Sequence, residues 1–224
     1  MSDDADESTD GHPTDPDLPV VEAASPEEPV EAGVHGVLLA AGTSSRFGAA
    51  NKLLATEAGE PIVRRAARAL LDSRVRSVTV VTGHEADRVR DALAGLDVRI
   101  VHASDYAAGQ SRSVRRGIEA VRTAFPDADA VVVALGDMPD VSAATIDRLL
   151  AAYEAGAGSA LAAAYEGVRG NPVLFDARHF DALVGVDGDV GGRGVLRSAP
   201  DAALVETGDP GVRRDVDRPG DLRE

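Results

Sequence analysis

The sequence predicts an α/β domain built on a doubly wound, mostly parallel sheet, and three observations support this fold class. Short apolar runs without polar alternation, such as GVLLAA at 36–41, are typical of strands buried on both faces of a parallel sheet. A segment with helical spacing follows each of these runs at a short distance. The hydrophobic fraction is 44%, mostly Ala, Val and Leu, and only 3% of residues are aromatic, which suits helices packed on a Val-rich sheet.

The predicted elements alternate regularly over the first two thirds of the chain. After the first strand and a glycine-rich turn, Pro61 begins a helix in which Ile62, Ala66, Ala69 and Leu70 recur at helical spacing, ending near position 72. Strands are then predicted at 75–83, 98–103 and 128–137, and helices at 84–96, 110–125 and 142–156. This alternation indicates right-handed βαβ units.

The pattern changes in the second half. The segments SALAAAY at 159–165 and NPVLF at 171–175 are strand-like and only five residues apart, which predicts a small antiparallel excursion added to the sheet. A short helix at 176–184, a glycine-dense loop at 185–194 and an acidic turn at 215–222 follow.

Acidic charge is concentrated at the start of the chain. The formal net charge is −15, yet residues 1–32 hold 11 Asp or Glu and no Lys or Arg, which leaves 27 acidic against 23 basic residues in the remainder. The acidic segment also contains five prolines, so we expect a disordered tail at 1–32 and one folded domain at 33–224. The acidic balance disfavours nucleic-acid binding.

Several features of the sequence exclude other protein classes. Cysteine is absent, which excludes a disulfide framework and suits a cytoplasmic location. No apolar stretch reaches the length of a membrane span, and the first residues lack the pattern of a signal peptide. We therefore expect a cytoplasmic protein that binds neither membranes nor nucleic acids.

The loop at 42–52 has the composition of a phosphate-binding loop. Ligands of open α/β sheets lie beyond the carboxyl ends of the strands, and this loop leaves such an end. Gly42 allows a sharp turn, the following Thr-Ser-Ser offers hydroxyl and N–H groups, and Arg46 and Lys52 add positive charge. Lys52 is the only lysine in the chain. The spacing fits neither a Walker loop nor a GxGxxG dinucleotide fingerprint.

Carboxylates predict a metal beside this loop. Asp137 follows the strongest strand, in LGDMPD, where its side chain would project into the same crevice. A carboxylate opposite a cationic phosphate loop is what a Mg²⁺-nucleotide site requires, although an Asp after a strand serves as often to cap a helix. Asp215 and Asp217 would complete the metal site, or equally form an Asx turn before Pro219. We expect no zinc site and no covalent nucleophile, because neither motif is present.

Five motifs follow one another along residues 34–223: LAAGxSxRxGxxxK, GDMP, RGNPVLF, GDVGGR and DVDxPxDL. In this order and spacing they resemble the nucleotidyltransferases that attach CMP or GMP to molybdopterin, and most of all the molybdenum cofactor cytidylyltransferase branch. The resemblance implies a Rossmann-like nucleotidyltransferase fold that binds an NTP and Mg²⁺ at the first loop.

The resemblance also implies roles for individual residues. The catalytic residues would be Arg46, Lys52 and Asp137. The nucleotide would contact Ala40, Ala41, Gly42, Thr82, Gly83, Gly109, Arg112 and Ser113. The acceptor would contact Arg169, Asn171, Asp189 and Arg193. An Ala-Ala pair at 40–41 is typical of cytidine-using members of the family, whereas guanosine-using members more often have Gly-Gly, and this favours CTP.

The predicted reaction is a Mg²⁺-dependent transfer of CMP from CTP to the terminal phosphate of molybdopterin, with release of pyrophosphate. A recipient molybdoenzyme would be a further partner. Within the enzyme class, guanylyl transfer to the same acceptor and cytidylyl or uridylyl transfer to a sugar or polyol phosphate remain open. An oxidoreductase is a second rival, against which the missing GxGxxG argues. The third is a chaperone that only holds molybdopterin, for which a lysine paired with a metal carboxylate would be unnecessary.

Overall fold

A computed structural model describes residues 18–22, 31–44, 47–48, 50–186 and 191–223. The strands are β1 (Val20–Glu22), β2 (Val34–Ala40), β3 (Thr56–Glu57), β4 (Glu60–Pro61), β5 (Val78–Thr82), β6 (Arg99–His102), β7 (Ala130–Leu135), β8 (Ala160–Tyr165), β9 (Val168–Asp176) and β10 (Ala202–Glu206). The α-helices are α1 (Ile62–Leu71), α2 (Ala86–Ala92), α3 (Gln110–Ala124), α4 (Ala143–Glu154), α5 (Phe180–Gly185) and α6 (Arg193–Ser198). Within these ranges, no helix has the length and apolar character needed to cross a membrane.

Eight of the strands form one twisted sheet in the order β1-β10-β8-β9-β7-β2-β5-β6. Every neighbouring pair is parallel except the two that involve β9, which runs antiparallel to both β7 and β8. Strands β3 and β4 form a separate antiparallel pair. The predicted α/β class, with a mostly parallel sheet and an antiparallel excursion in the second half, is confirmed.

Helices cover both faces of the sheet. Strand β2 shows why, because it is buried along its whole length and successive side chains of a strand point to opposite faces. Leu38 and Ala40 face the core formed with α1, α2 and α4, whereas Val37 and Leu39 face the core formed with α3, α5 and α6. A strand of this kind needs apolar residues at nearly every position, which explains the apolar run in the sequence; the buried His35 is the exception.

The antiparallel direction of β9 decides which of its residues reach the carboxyl edge of the sheet. Strands β8 and β9 form a hairpin with a two-residue turn at 166–167. In the antiparallel ladder with β7, Val173 pairs with Val133, so the residues before 173 lie toward the carboxyl end of β7. Arg169 and Asn171 therefore lie at the same edge as the last residues of β2 and β7.

The structure differs from the sequence prediction at several elements, among them β1, β10 and α6. Strand β1 lies inside the segment expected to be disordered, where Val20 and Val21 extend the sheet by pairing with β10. Strand β10 was not predicted, because its short Ala-rich run resembles the neighbouring loops. Helix α6 begins inside the predicted glycine-dense loop, since burial of Val195 and Leu196 against the sheet overrides the low helix propensity of the flanking glycines.

Candidate active site

The loop after β2 is closed by hydrogen bonds between its two ends. Ser44 has a left-handed backbone, with φ of 56°, and its hydroxyl accepts a hydrogen bond from the Lys52 backbone N–H at 3.1 Å. Asn51 is buried, and its Oδ1 accepts from the Ser44 hydroxyl at 3.2 Å and from the Leu53 N–H at 3.1 Å. These contacts position Lys52 at the start of a short 3₁₀ turn at 52–54.

The ammonium group of Lys52 lies between two carboxylates. Its Nζ is 2.7 Å from Oδ2 of Asp137 and 2.7 Å from Oδ1 of Asp217. The Lys52 side chain is 13% exposed, against 21% for Asp137 and 31% for Asp217. Burial alone would lower the pKa of Lys52, but the charges and hydrogen bonds of both carboxylates outweigh it and raise the pKa. Lys52 is therefore a charged residue in this site.

The segment after β10 brings the distant carboxylates to Asp137. The backbone N–H of Val216 donates to the carbonyl oxygen of Asp137 at 2.9 Å, which places Asp215 and Asp217 on either side of that contact. Partial burial raises the pKa of Asp215, and the negative charges of Asp217 and Asp137 raise it further. The three carboxylates predicted from the sequence are thus close enough to repel one another.

This donor set fits a divalent cation in its chemistry. Carboxylate oxygens are the ligands that Mg²⁺ prefers, and a cation here would relieve the part of the rise in the pKa of Asp215 that, after burial, comes from the charges of Asp217 and Asp137. Within the described ranges, however, no group of three or more His, Asp or Glu is arranged at metal-binding geometry. The ammonium of Lys52 occupies the space between Asp137 and Asp217 in this arrangement.

A cavity of about 290 Å³ opens at the carboxyl ends of β2 and β7, where it is lined by Asp137, the ion-pair partner of Lys52. Predicted residues that line it are Ala41, Gly42, Gly109, Ser113 and Asp137. Beside Gly42, no atom of the described residues, its two chain neighbours aside, lies within 4 Å of where a side chain would begin, so a ligand can approach the backbone there. We call this space the nucleotide cavity.

A second cavity of about 400 Å³ lies next to the first, over the start of β9. Its polar residues include the predicted Arg169, Asn171 and Arg193, and its walls are apolar, with Phe175 the aromatic member. Leu39, Gln110 and Leu135 line both cavities. The two cavities are therefore contiguous, and we call the second one the acceptor cavity.

Comparison with known proteins identifies the family of this chain. Residues 36–204 match the model of the MobA-like NTP transferase domain. The chain belongs to that family. It is therefore a nucleotidyltransferase, as the sequence predicted, and its family assignment places an NTP among its substrates.

Two curated relatives of this MobA-like domain are matched over most of their length. It is 35% identical over 194 residues to the nicotine blue oxidoreductase of Paenarthrobacter nicotinovorans, covering 82% of this chain and 92% of the relative. It is 30% identical over 198 residues to the purine catabolism protein PucB of Bacillus subtilis, covering 82% and 91%.

Solved structures of the MobA-like type agree with the fold. A nucleotidyl transferase from Methanothermobacter thermautotroptrophicus superposes with a TM-score of 0.70 at 27% identity, covering 84% of this chain and 93% of that one. The Rv0371c protein of Mycobacterium tuberculosis, in complex with manganese, superposes with a TM-score of 0.63 at 25% identity, covering 86% and 94%.

Some residues predicted to bind the nucleotide do not line its cavity in this MobA-like domain. Ala40 is buried on the opposite face of β2. Thr82 is fully buried and its hydroxyl donates to the Val101 carbonyl at 3.2 Å. Arg112 lies 3.7 Å from Asp105 and is not among the residues lining either cavity. Arg46 and Asp189 lie outside the described residues.

Gly83 does not line the nucleotide cavity, but it leaves room for two residues that do. A side chain at this position would lie 2.6 Å from Cγ of Tyr106 and 2.7 Å from Cβ of Ala41. Both of these residues line the nucleotide cavity. The absence of a side chain at Gly83 therefore lets the Tyr106 ring pack beside the end of β2 and form the cavity wall. Sequence reasoning did not identify Tyr106, whose only signal was its rarity in a chain with 3% aromatic residues.

A network of buried and partly buried ion pairs adjoins the segment that carries Asp215 and Asp217. Glu57 has a side chain that is 2% exposed, and its Oε2 accepts from Arg214 at 3.0 Å. Arg214 also lies 2.6 Å from Asp140, and Arg65 contacts the same two acids. Burial would raise the pKa of Glu57, but the hydrogen bonds and charges of its partners, Arg214 first, lower it. Because Arg214 directly precedes Asp215, the network positions the 215–217 segment.

Proposed function

We propose that this MobA-like NTP transferase is a molybdopterin cytidylyltransferase, which moves CMP from CTP to the terminal phosphate of molybdopterin and releases pyrophosphate. One observation carries the proposal: the nucleotide cavity and the acceptor cavity meet at one edge of the sheet. The first cavity is lined by Asp137, which contacts Lys52, and the second is lined by Arg169 and Arg193. Two phosphorylated substrates would thus meet end to end between cationic groups.

The residues at the end of β2 and in the loop that follows it support the choice of CTP as the nucleotide. Ala41 lines the cavity, and an Ala-Ala pair here is typical of the cytidine-using members that the sequence resembles. Next to it, Gly42 leaves room for phosphates to approach the backbone. Lys52 would exchange part of its contact with Asp137 and Asp217 for phosphate oxygens.

The acceptor side supports a flat heterocycle that carries an anionic group. The guanidinium groups of Arg169 and Arg193 suit the terminal phosphate of molybdopterin. The amide of Asn171 can both donate and accept hydrogen bonds, as the edge of a pterin ring requires. The apolar wall, which includes Phe175, suits the faces of such a ring.

The chemistry needs little beyond alignment and charge neutralisation. An oxygen of the acceptor's terminal phosphate attacks the α-phosphorus of CTP, and the new O–P bond forms as the bond from that phosphorus to the pyrophosphate oxygen breaks. The attacking phosphate is already anionic, so no general base is required. Lys52 stabilises negative charge on the phosphates. Mg²⁺ held by Asp137 and Asp217, with Asp215 nearby, would supply further neutralisation, and the manganese complex of the Rv0371c protein supports a divalent cation.

Pyrophosphate release tests the proposal directly. The purified chain is incubated with molybdopterin, Mg²⁺ and one of CTP, GTP or UTP, and the pterin product is identified by its mass. We expect release with CTP and a product heavier by one CMP. Release with GTP or UTP alone would refute the choice of CTP, and release that does not depend on molybdopterin would refute the acceptor. Arg68→Ala, which removes a cation whose side chain is 51% exposed on α1, is the matched control for changes at Lys52.

An oxidoreductase is a second candidate, favoured by the 35% identity to nicotine blue oxidoreductase over 92% of that protein. The absorbance spectrum of the purified chain would reveal a bound flavin. Oxidation of a nicotinamide cofactor with nicotine blue as the acceptor, together with no pyrophosphate release from any NTP, would favour this candidate over the transferase.

A further inference from the structure

Gln110 stands at the junction of the nucleotide cavity and the acceptor cavity. Three residues line both cavities, and two of them, Leu39 and Leu135, are apolar. Gln110 is thus the polar side chain shared by the two cavity walls. A nucleotidyl transfer must take place where the two substrates touch, so a polar group at that junction would face the reacting phosphates.

The backbone and the neighbouring loop hold Gln110 in this position. It is the first residue of α3, a helix of 15 residues. Across the junction, its Oε1 lies against Gly191, which has φ of 53°, so that a side chain at position 191 would collide with the carboxamide. Gly191 leads directly into α6, which begins with the acceptor-cavity residue Arg193. Gln110 therefore bridges the two halves of the site.

A carboxamide suits this position for chemical reasons. Its nitrogen offers two N–H donors and its oxygen accepts hydrogen bonds. With Oε1 directed at Gly191, the N–H groups remain available for anionic oxygens. The group carries no charge, so it can approach phosphates without the repulsion that a glutamate of the same shape would cause.

We propose that Gln110 is a further catalytic residue of the transfer, which donates hydrogen bonds to phosphate oxygens of both substrates and aligns the attacking oxygen with the α-phosphorus. The inference rests on the proposed function, because it requires that two phosphorylated substrates meet at this junction. A residue with this role lowers the barrier after both substrates have bound. Its loss reduces kcat and leaves the affinity for each separate substrate nearly unchanged.

Replacement by leucine tests this role with little change in volume. For Gln110→Leu we expect kcat for CMP transfer to fall about a hundredfold, with dissociation constants for CTP·Mg²⁺ alone and for molybdopterin alone within about threefold of wild type. Gln110→Glu keeps the shape and adds a negative charge, so its kcat should fall further. Arg116→Ala, an exposed change on the same helix, should transfer at the wild-type rate.

The possible failures are distinguishable. Wild-type kcat in Gln110→Leu would overturn the role of Gln110 and leave the proposed function intact. A loss of rate that is matched by a loss of affinity for one substrate would also overturn it, because Gln110 would then belong to a single binding site. If Gln110→Leu does not fold, judged by circular dichroism, Gln110→Ala supplies the same comparison, because it also removes the carboxamide without adding a charge. Absence of pyrophosphate release from every NTP in the wild-type protein would instead refute the proposed function.

Discussion

Replacement of Lys52 by alanine removes the ammonium group that lies between Asp137 and Asp217. Both contacts measure 2.7 Å, and the lysine side chain is 13% exposed. A hydrogen bond to a charged group contributes about 1.5–3 kcal/mol. Two such bonds are lost, but solvent reaches both carboxylates and offsets part of the loss. We therefore expect the free energy of unfolding to fall by about 1–3 kcal/mol, which leaves the variant folded.

The same change should alter activity and metal binding in opposite directions. The transfer rate should fall by about 10²- to 10³-fold, the usual cost of removing one preorganised cationic or hydrogen-bonding group from a transition state. Unit charges 4 Å apart interact by about 4 kcal/mol at an effective dielectric constant of 20. The repulsion is twice as large for a divalent ion, and if solvent screens two thirds of it, Mn²⁺ should bind the nucleotide-free variant about a hundredfold more tightly, which corresponds to about 2.7 kcal/mol.

Three measurements check this reasoning: urea unfolding, pyrophosphate release and Mn²⁺ titration. Lys52→Arg is the informative companion, because it keeps the charge in a broader guanidinium. It should preserve stability and the weak Mn²⁺ affinity, yet lose transfer. A wild-type rate in Lys52→Ala would refute the role of the ammonium in catalysis. Unchanged Mn²⁺ affinity would show that Asp137 and Asp217 are not the metal ligands.

Three further predictions concern residues outside the reacting groups. Arg214→Met leaves the buried carboxylate of Glu57 without its main partner, so the free energy of unfolding should fall by about 3–5 kcal/mol; an unchanged urea midpoint would contradict the network. Burial and the charge of a nearby arginine lower the pKa of His35 in the fold, so the unfolded chain binds the proton first and stability should decline as pH falls below about 6.5. His35→Gln should lose that part of the pH dependence, measured by urea unfolding at several pH values. Gly83→Ala would place a methyl group 2.6 Å from Tyr106, so stability should fall by about 1–3 kcal/mol and KM for CTP should rise, whereas an unchanged KM would argue against Tyr106 as a cavity wall.

Local patterns in the sequence predicted the elements that have strong periodicity. The run at 128–137 contains β7, and the helix predicted at 110–125 differs from α3 by one residue. Such elements are recognisable because burial on one or both faces dictates every residue. Strand β10 and helix α6 escaped prediction, since their stability comes from neighbours that are distant in sequence rather than from their own composition.

In the candidate site, too, residues marked by a local pattern were predicted, whereas contacts between residues distant in sequence were not. Asp137 was predicted because it follows a buried strand, and Lys52 because it ends the loop that follows another. The ion pair between them was not predicted, since it depends on the path of the chain between the two residues. The contact between Arg214 and Glu57 joins residues 157 positions apart and leaves no trace in local spacing. Gln110 resembles an ordinary first-turn residue until the fold places Gly191 against it.

The reversed direction of β9 has a consequence for how acceptor choice can change. Its early residues Arg169 and Asn171 reach the acceptor cavity from one continuous hairpin, β8–β9, and none of the residues that line the nucleotide cavity comes from that hairpin. Exchange of residues 160–176 between relatives would therefore replace one wall of the acceptor cavity as a unit and leave the NTP machinery untouched. If the proposed function holds, exchange of this one hairpin would change the acceptor while the nucleotide stays the same.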